Sequence, residues 1–141
     1  MKTGHLLYIS GMNREAFNTL NRRGHLAFLD KHPTSEGVDR FGDWHALGLV
    51  AFARLRALGL EPSAAYEAVS DSWPDIIRIA GLVEEEPRTH LCGRRLNDVG
   101  LIDTWGWPHP NSKGGDPMAS VAVDLRQAWS DIQPALAEVR G

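Results

Sequence analysis

The chain has 141 residues, 43% of them apolar and 23% charged, with a formal net charge of −3. This excludes wholesale disorder, collagen-like repetition and coiled-coil composition, and it suits one domain or two very small ones. No apolar run approaches the roughly 20 residues of a membrane span. The apolar stretch around Leu6–Ile9 is too short for a signal-peptide core. One cysteine, Cys92, excludes an internal disulfide framework and fits a reducing compartment, so a cytoplasmic protein is expected. The charge is uneven: residues 1–62 carry +2 and residues 63–141 carry −5. Such asymmetry is compatible with a nucleic-acid-binding module joined to a different unit.

In chain order, a short apolar segment from Gly4 to Ile9 ends at the turn signal Ser10-Gly11. Asn13 is a suitable N-cap for a helix from Arg14 to Arg23, with Glu15 in its first turn. Ala16, Phe17 and Leu20 form its apolar stripe, and Gly24 stops it. Two short helices around a glycine-containing turn make a helix-turn-helix signature. His25–Leu29 and Val38–Phe41 read as two short strands flanking a polar tip, a β-hairpin. Asp43 is the expected N-cap of an amphipathic helix carrying Trp44, Leu47, Ala51, Leu55 and Leu58, closed by Gly59. Pro62 opens another helix to about Asp71, and Pro74 breaks it or starts a piece over Asp75–Ala80. Glu84–Pro87 is linker-like, Thr89–Leu96 is strand-like, and the Gly- and Pro-rich stretch 103–116 reads as loop. Ser120–Leu125 alternates like a strand. Arg126–Val139 reads as a terminal helix despite Pro134, with Ala128, Trp129, Ile132, Leu136 and Val139 on one face.

Five blocks in the first 69 residues keep a common order and spacing: Lys2-Thr3-Gly4-His5-Leu6, Ser10-Gly11-Met12-Asn13, Arg22-Arg23-Gly24-His25-Leu26, Gly37-Val38-Asp39-Arg40-Phe41 and Ala57-Leu58-Gly59-Leu60-Glu61. Together they resemble the MerR-type winged helix-turn-helix DNA-binding domain, a prokaryotic regulator module. The resemblance covers about half of the chain. It implies an α+β fold, with residues 1–70 as a winged helix-turn-helix and residues 71–141 as a small mixed α/β region for dimerisation, effector sensing or both. It also implies transcription regulation through sequence-specific binding of double-stranded DNA as a homodimer, with a small molecule or a protein as effector. The chain departs from the family pattern at Asn18-Thr19, where an Arg-Tyr pair is common, and at Asp39, which replaces the first wing arginine. Pro74 also interrupts the segment that forms the family's long dimer helix, so the face on residues 126–139 is expected to supply a two-fold interface instead.

The site residues follow from that reading. Arg14, Asn18, Thr19 and Arg22 lie on the polar side of the second helix, where arginine pairs with guanine and asparagine with adenine. Arg40 is the expected phosphate contact on the hairpin. Trp105, Trp107 and His109 form a second candidate group, lining a small-ligand pocket or anchoring the loop to the core. His90, Cys92 and His109 fit no four-ligand zinc template. No Gly-rich phosphate loop, serine-nucleophile motif or paired-carboxylate motif occurs, so neither metal, cofactor nor enzymatic activity is expected. Two other readings stay open: a phage-type accessory or recombination-directionality factor, and a protein-interaction or ligand-binding module that does not touch DNA.

Overall fold

The computed structural model describes residues 1–35, 37, 39–81, 91–92 (backbone only) and 123–141. These residues form six helices: α1 (Thr3–Ser10), α2 (Arg14–Arg22), α3 (Asp43–Ala57), α4 (Pro62–Asp71), α5 (Trp73–Ile79) and α6 (Leu125–Arg140). A 3-10 turn spans Ala27–Asp30. The β-structure among the described residues is one antiparallel pairing of β1 (Leu91–Cys92) with β2 (Val123–Asp124), in register Leu91 to Asp124.

This overturns the expected α+β winged helix. Among its described residues, the segment 25–41 forms no β-hairpin. Its first half bonds locally, Leu29 N–H to the Leu26 carbonyl (2.9 Å) and Lys31 N–H to that of Phe28 (3.2 Å). The cause is burial on one side only. A strand would send Phe28 and Leu29 to opposite faces, whereas the tight turn delivers Leu26, Phe28 and Leu29 into the same core. The second half has other partners. Phe41 N–H donates to the Met1 carbonyl (3.2 Å), and Thr34 N–H to that of Arg40 (2.8 Å). The mixed α/β expectation for the C-terminal region is corrected likewise. Its strand content among the described residues is two residues on each side, and Leu125 already begins α6.

α3 is the axis of the fold. The sequence reads as amphipathic, but every residue from His45 to Phe52 is buried, as is Leu55. Small residues allow this, since Ala46, Gly48 and Ala51 let neighbours approach closely. A Cβ on Gly48 would lie 2.9 Å from the Trp73 ring and 3.3 Å from that of Phe28. α1, α4, α5, α6 and the 3-10 turn all pack against this helix.

The entry to α3 is held by a buried histidine. Gly42, rather than Asp43, is the N-cap. Gly42 N–H donates to His45 Nδ1 (2.8 Å), the part a glutamate usually plays in a capping box. His45 Nε2–H donates in turn to the Lys31 carbonyl (2.6 Å). Trp44 Nε1–H reaches the His32 carbonyl and Trp73 Nε1–H reaches His32 Nδ1, both at 3.0 Å. The loop before α3 is therefore tied to both α3 and α5.

α6 closes the opposite side. Asp124 caps it, accepting from Arg126 and Gln127 amides. Pro134 sits exposed inside the helix, where water can reach the carbonyl it leaves without a backbone donor. Leu125, Ala128, Ile132 and Leu136 join the same core as Leu6, Leu47 and Phe52. Arg54 bonds Asp131 at 2.8 Å, Arg140 pairs with Asp43, and the Tyr8 hydroxyl donates to Glu138. Arg54 and Gln127 hold the Asp131 carboxyl below its ordinary range. The apolar face assigned to a two-fold interface is thus largely covered within the chain, with Trp129 and Val139 half-buried. The packing does not break near residue 70.

Two measurements test this account. Gly48→Ala should lower stability by about 1–2 kcal/mol in urea unfolding, because displacing two buried rings outweighs the gain in helix propensity. The second concerns His45, whose burial pushes its pKa down to about 4 from 6.5. The unfolded chain then binds the extra proton first. Stability should be full above pH 6.5 and fall as pH drops toward 4, by up to about 3 kcal/mol. His45→Gln should flatten that pH dependence, read from tryptophan fluorescence during unfolding.

Candidate functional site

α2 is anchored lightly. Phe17 is its one fully buried residue, with Leu20 half-buried beside the core. Its ends are nevertheless well defined. The turn from α1 runs through Gly11, whose φ of 70° a side chain would resist, and Gly11 N–H closes on the Leu7 carbonyl at 2.9 Å. The Asn13 side chain accepts from the Glu15 amide (2.7 Å) and the Ala16 amide (3.2 Å). At the far end, His25 N–H bonds the Leu20 carbonyl at 3.1 Å across Gly24. Strong caps on a lightly packed helix make it rigid yet prominent.

The outward face of α2 carries Arg14, Asn18, Asn21 and Arg22 exposed and Thr19 half-exposed. Together with Glu15 they border an open concavity of about 780 Å³ among the described residues. Arg14, Asn18 and Arg22 recur at four-residue spacing and so share one side of the helix. The Arg14 guanidinium leans toward α1, 3.9 Å from where a Cβ on Gly4 would sit. Among the described residues no carboxylate pairs with Arg14 or Arg22. The face is therefore a row of hydrogen-bond donors and acceptors with two cations at its ends.

Four of the five residues expected at the site come together here. Arg40 does not. It lies on the loop before α3, with its guanidinium 4.6 Å above the Phe41 ring and Nη1 3.5 Å from the Gly37 carbonyl. Asn21 belongs to the site but was not anticipated, although its three-residue offset from Asn18 signals the shared face. Trp105, Trp107, His109 and His90 lie outside the described residues, as does the Cys92 side chain.

No protein-family model, no curated protein and no solved structure matches this chain. The site stands on its own geometry.

A second cluster could compete with it. Phe28, His32, Trp44, His45 and Trp73 gather around the entry to α3, with Phe28–Trp73 and His45–Trp73 centroids each 5.8 Å apart. Both His45 nitrogens are used by backbone groups, however, and His32 Nδ1 is taken by Trp73. The cluster is a structural lock. Among the described residues no group of three or more His, Cys, Asp or Glu is placed to hold a metal, and no helix is long and apolar enough to cross a membrane.

Because α2 owes its order to its caps rather than to burial, Asn13→Ala should loosen it selectively. Hydrogen exchange of the α2 amides should accelerate by an amount equivalent to about 1 kcal/mol, while α3 amides keep their protection.

Proposed function

We propose that the chain binds double-stranded DNA sequence-specifically, as a transcription regulator acting as a homodimer, with α2 lying in the major groove. The observation that carries this reading is the outward row Arg14, Asn18, Asn21 and Arg22 on a helix joined to the core chiefly through Phe17. Among the described residues no internal hydrogen bond or ion pair of their side chains accounts for them, and their chemistry matches base edges. Arginine reads guanine and asparagine reads adenine through paired hydrogen bonds. The likeness to MerR-type proteins lends support at the helix–turn–helix unit, residues 3–22, where α1, the Gly11 turn and α2 follow the expected order. Net charge over the whole chain is negative, so attraction to DNA has to come from this local face. One short helix reads few base pairs, and two copies on half-sites about one helical turn apart supply the remaining affinity.

Immunoprecipitation of the full chain with its bound genomic DNA, followed by sequencing, should return a recurring motif with two half-sites. Binding to that motif should weaken steeply with salt. Asn18→Ala should relax preference at one position of each half-site, costing about 1–3 kcal/mol of discrimination there. Absence of a motif, together with absence of duplex binding at low salt, refutes the reading.

A further inference from the structure

Behind α2, on the side facing the junction of α3 and α4, lies a second groove of about 570 Å³. Its α2 wall contributes Ala16, Leu20 and Arg23, and its other wall contributes Arg56 and Pro62. Arg23 directly follows α2 and Arg56 sits in the last turn of α3, so two segments far apart in sequence bring exposed guanidiniums to one groove. Arg56 is oriented by a bond from Nη1 to the Leu60 carbonyl (2.8 Å), which leaves its other N–H groups available. Among the described residues no carboxylate pairs with either arginine. α4 begins at the same place. Pro62 occupies its first turn, and the exposed Glu61 stands at its N-cap without a side-chain hydrogen bond there, so the carboxylate offsets the positive end of the helix dipole and the two guanidiniums supply the cationic character. Glu15 is the acidic side chain on this lining.

We infer that this groove seats a backbone phosphate of the duplex, with Arg23 and Arg56 as its cationic walls. The inference rests on the duplex-binding reading of α2. A helix lying in the major groove has a sugar-phosphate strand along its flank, and contacts to that strand fix the orientation of the reading helix. Here the flank of α2 is itself one wall of the groove. A strand following α2 passes between Arg23 and Arg56, which clamp it from two directions. Arg56 thereby becomes a positioning residue that sets how α2 lies, without reading sequence itself.

The test uses the full chain and a short labelled duplex of mixed sequence, with binding followed by fluorescence anisotropy across a potassium chloride series. Arg23→Ala and Arg56→Ala should each weaken binding and lower the slope of log affinity against log salt by about one unit. Arg56→Lys should restore most of that slope, because it keeps the charge. Thermal melting of each variant separates a binding defect from a folding defect. If Arg56→Ala loses stability, Arg23→Ala decides, since the Arg23 side chain makes no bond within the described residues. A folded Arg23→Ala variant with the parent slope overturns the phosphate clamp and leaves the α2 reading intact. A parent chain that binds no duplex at any salt concentration overturns both.

Discussion

A helix that is buried on every side constrains everything around it. α3 has no solvent face between His45 and Phe52, so each neighbour must present an apolar surface and approach closely. The 3-10 turn, α1, α4, α5 and α6 each meet that demand from a different direction. Such a helix must also satisfy its first backbone amides without water. His45 does so for Gly42, and by holding the Lys31 carbonyl with its other nitrogen it fixes the loop that leads into the helix. Protonation would turn the accepting nitrogen into a donor facing another donor, so the arrangement requires a neutral imidazole.

α2 stands outside this logic. It contributes Phe17 to the core and takes its order from Asn13 and Gly24. A helix so placed contributes little to stability and can hold a polar face at modest cost. The division matches a general separation of roles, in which a rigid interior supports a peripheral element whose residues answer to a partner. The two grooves on either side of α2 are a direct result of its prominence, since a helix packed flush against α3 would have neither.

Local chemistry was legible in the sequence, and destination was not. Asn13, Gly24, Gly59 and Pro62 mark helix ends correctly because each acts on its own backbone neighbours. The polar face of α2 could be read because the 3.6-residue period alone places Arg14, Asn18 and Arg22 together. The stretch 25–29 is ambiguous because its four apolar residues, Leu26–Leu29, suit a strand as well as a tight turn, and only the position of the core decides between them. The place of Arg40 was not legible because its ring contact with Phe41 follows from a loop closed on Met1, a tertiary fact. The buried stripe of α6 was visible, yet periodicity does not say whether such a stripe meets its own chain or another copy. The polar side chains that tie α6 in place, Asp43, Arg54 and Tyr8, belong to helices distant in sequence.

That distance shapes how the molecule is made. Arg54 and Asp131 are separated by 77 positions, and the α6 side of α1 and α3 stays uncovered until the last helix arrives. The parts of α1 and α3 that meet α6 gain that apolar cover only when α6 docks. Completion waits for residues 125–140. Long-range closure of this kind slows folding and exposes apolar surface in the interval. A variant truncated before Leu125 should therefore expose the apolar surface that Leu125, Ala128, Ile132 and Leu136 cover.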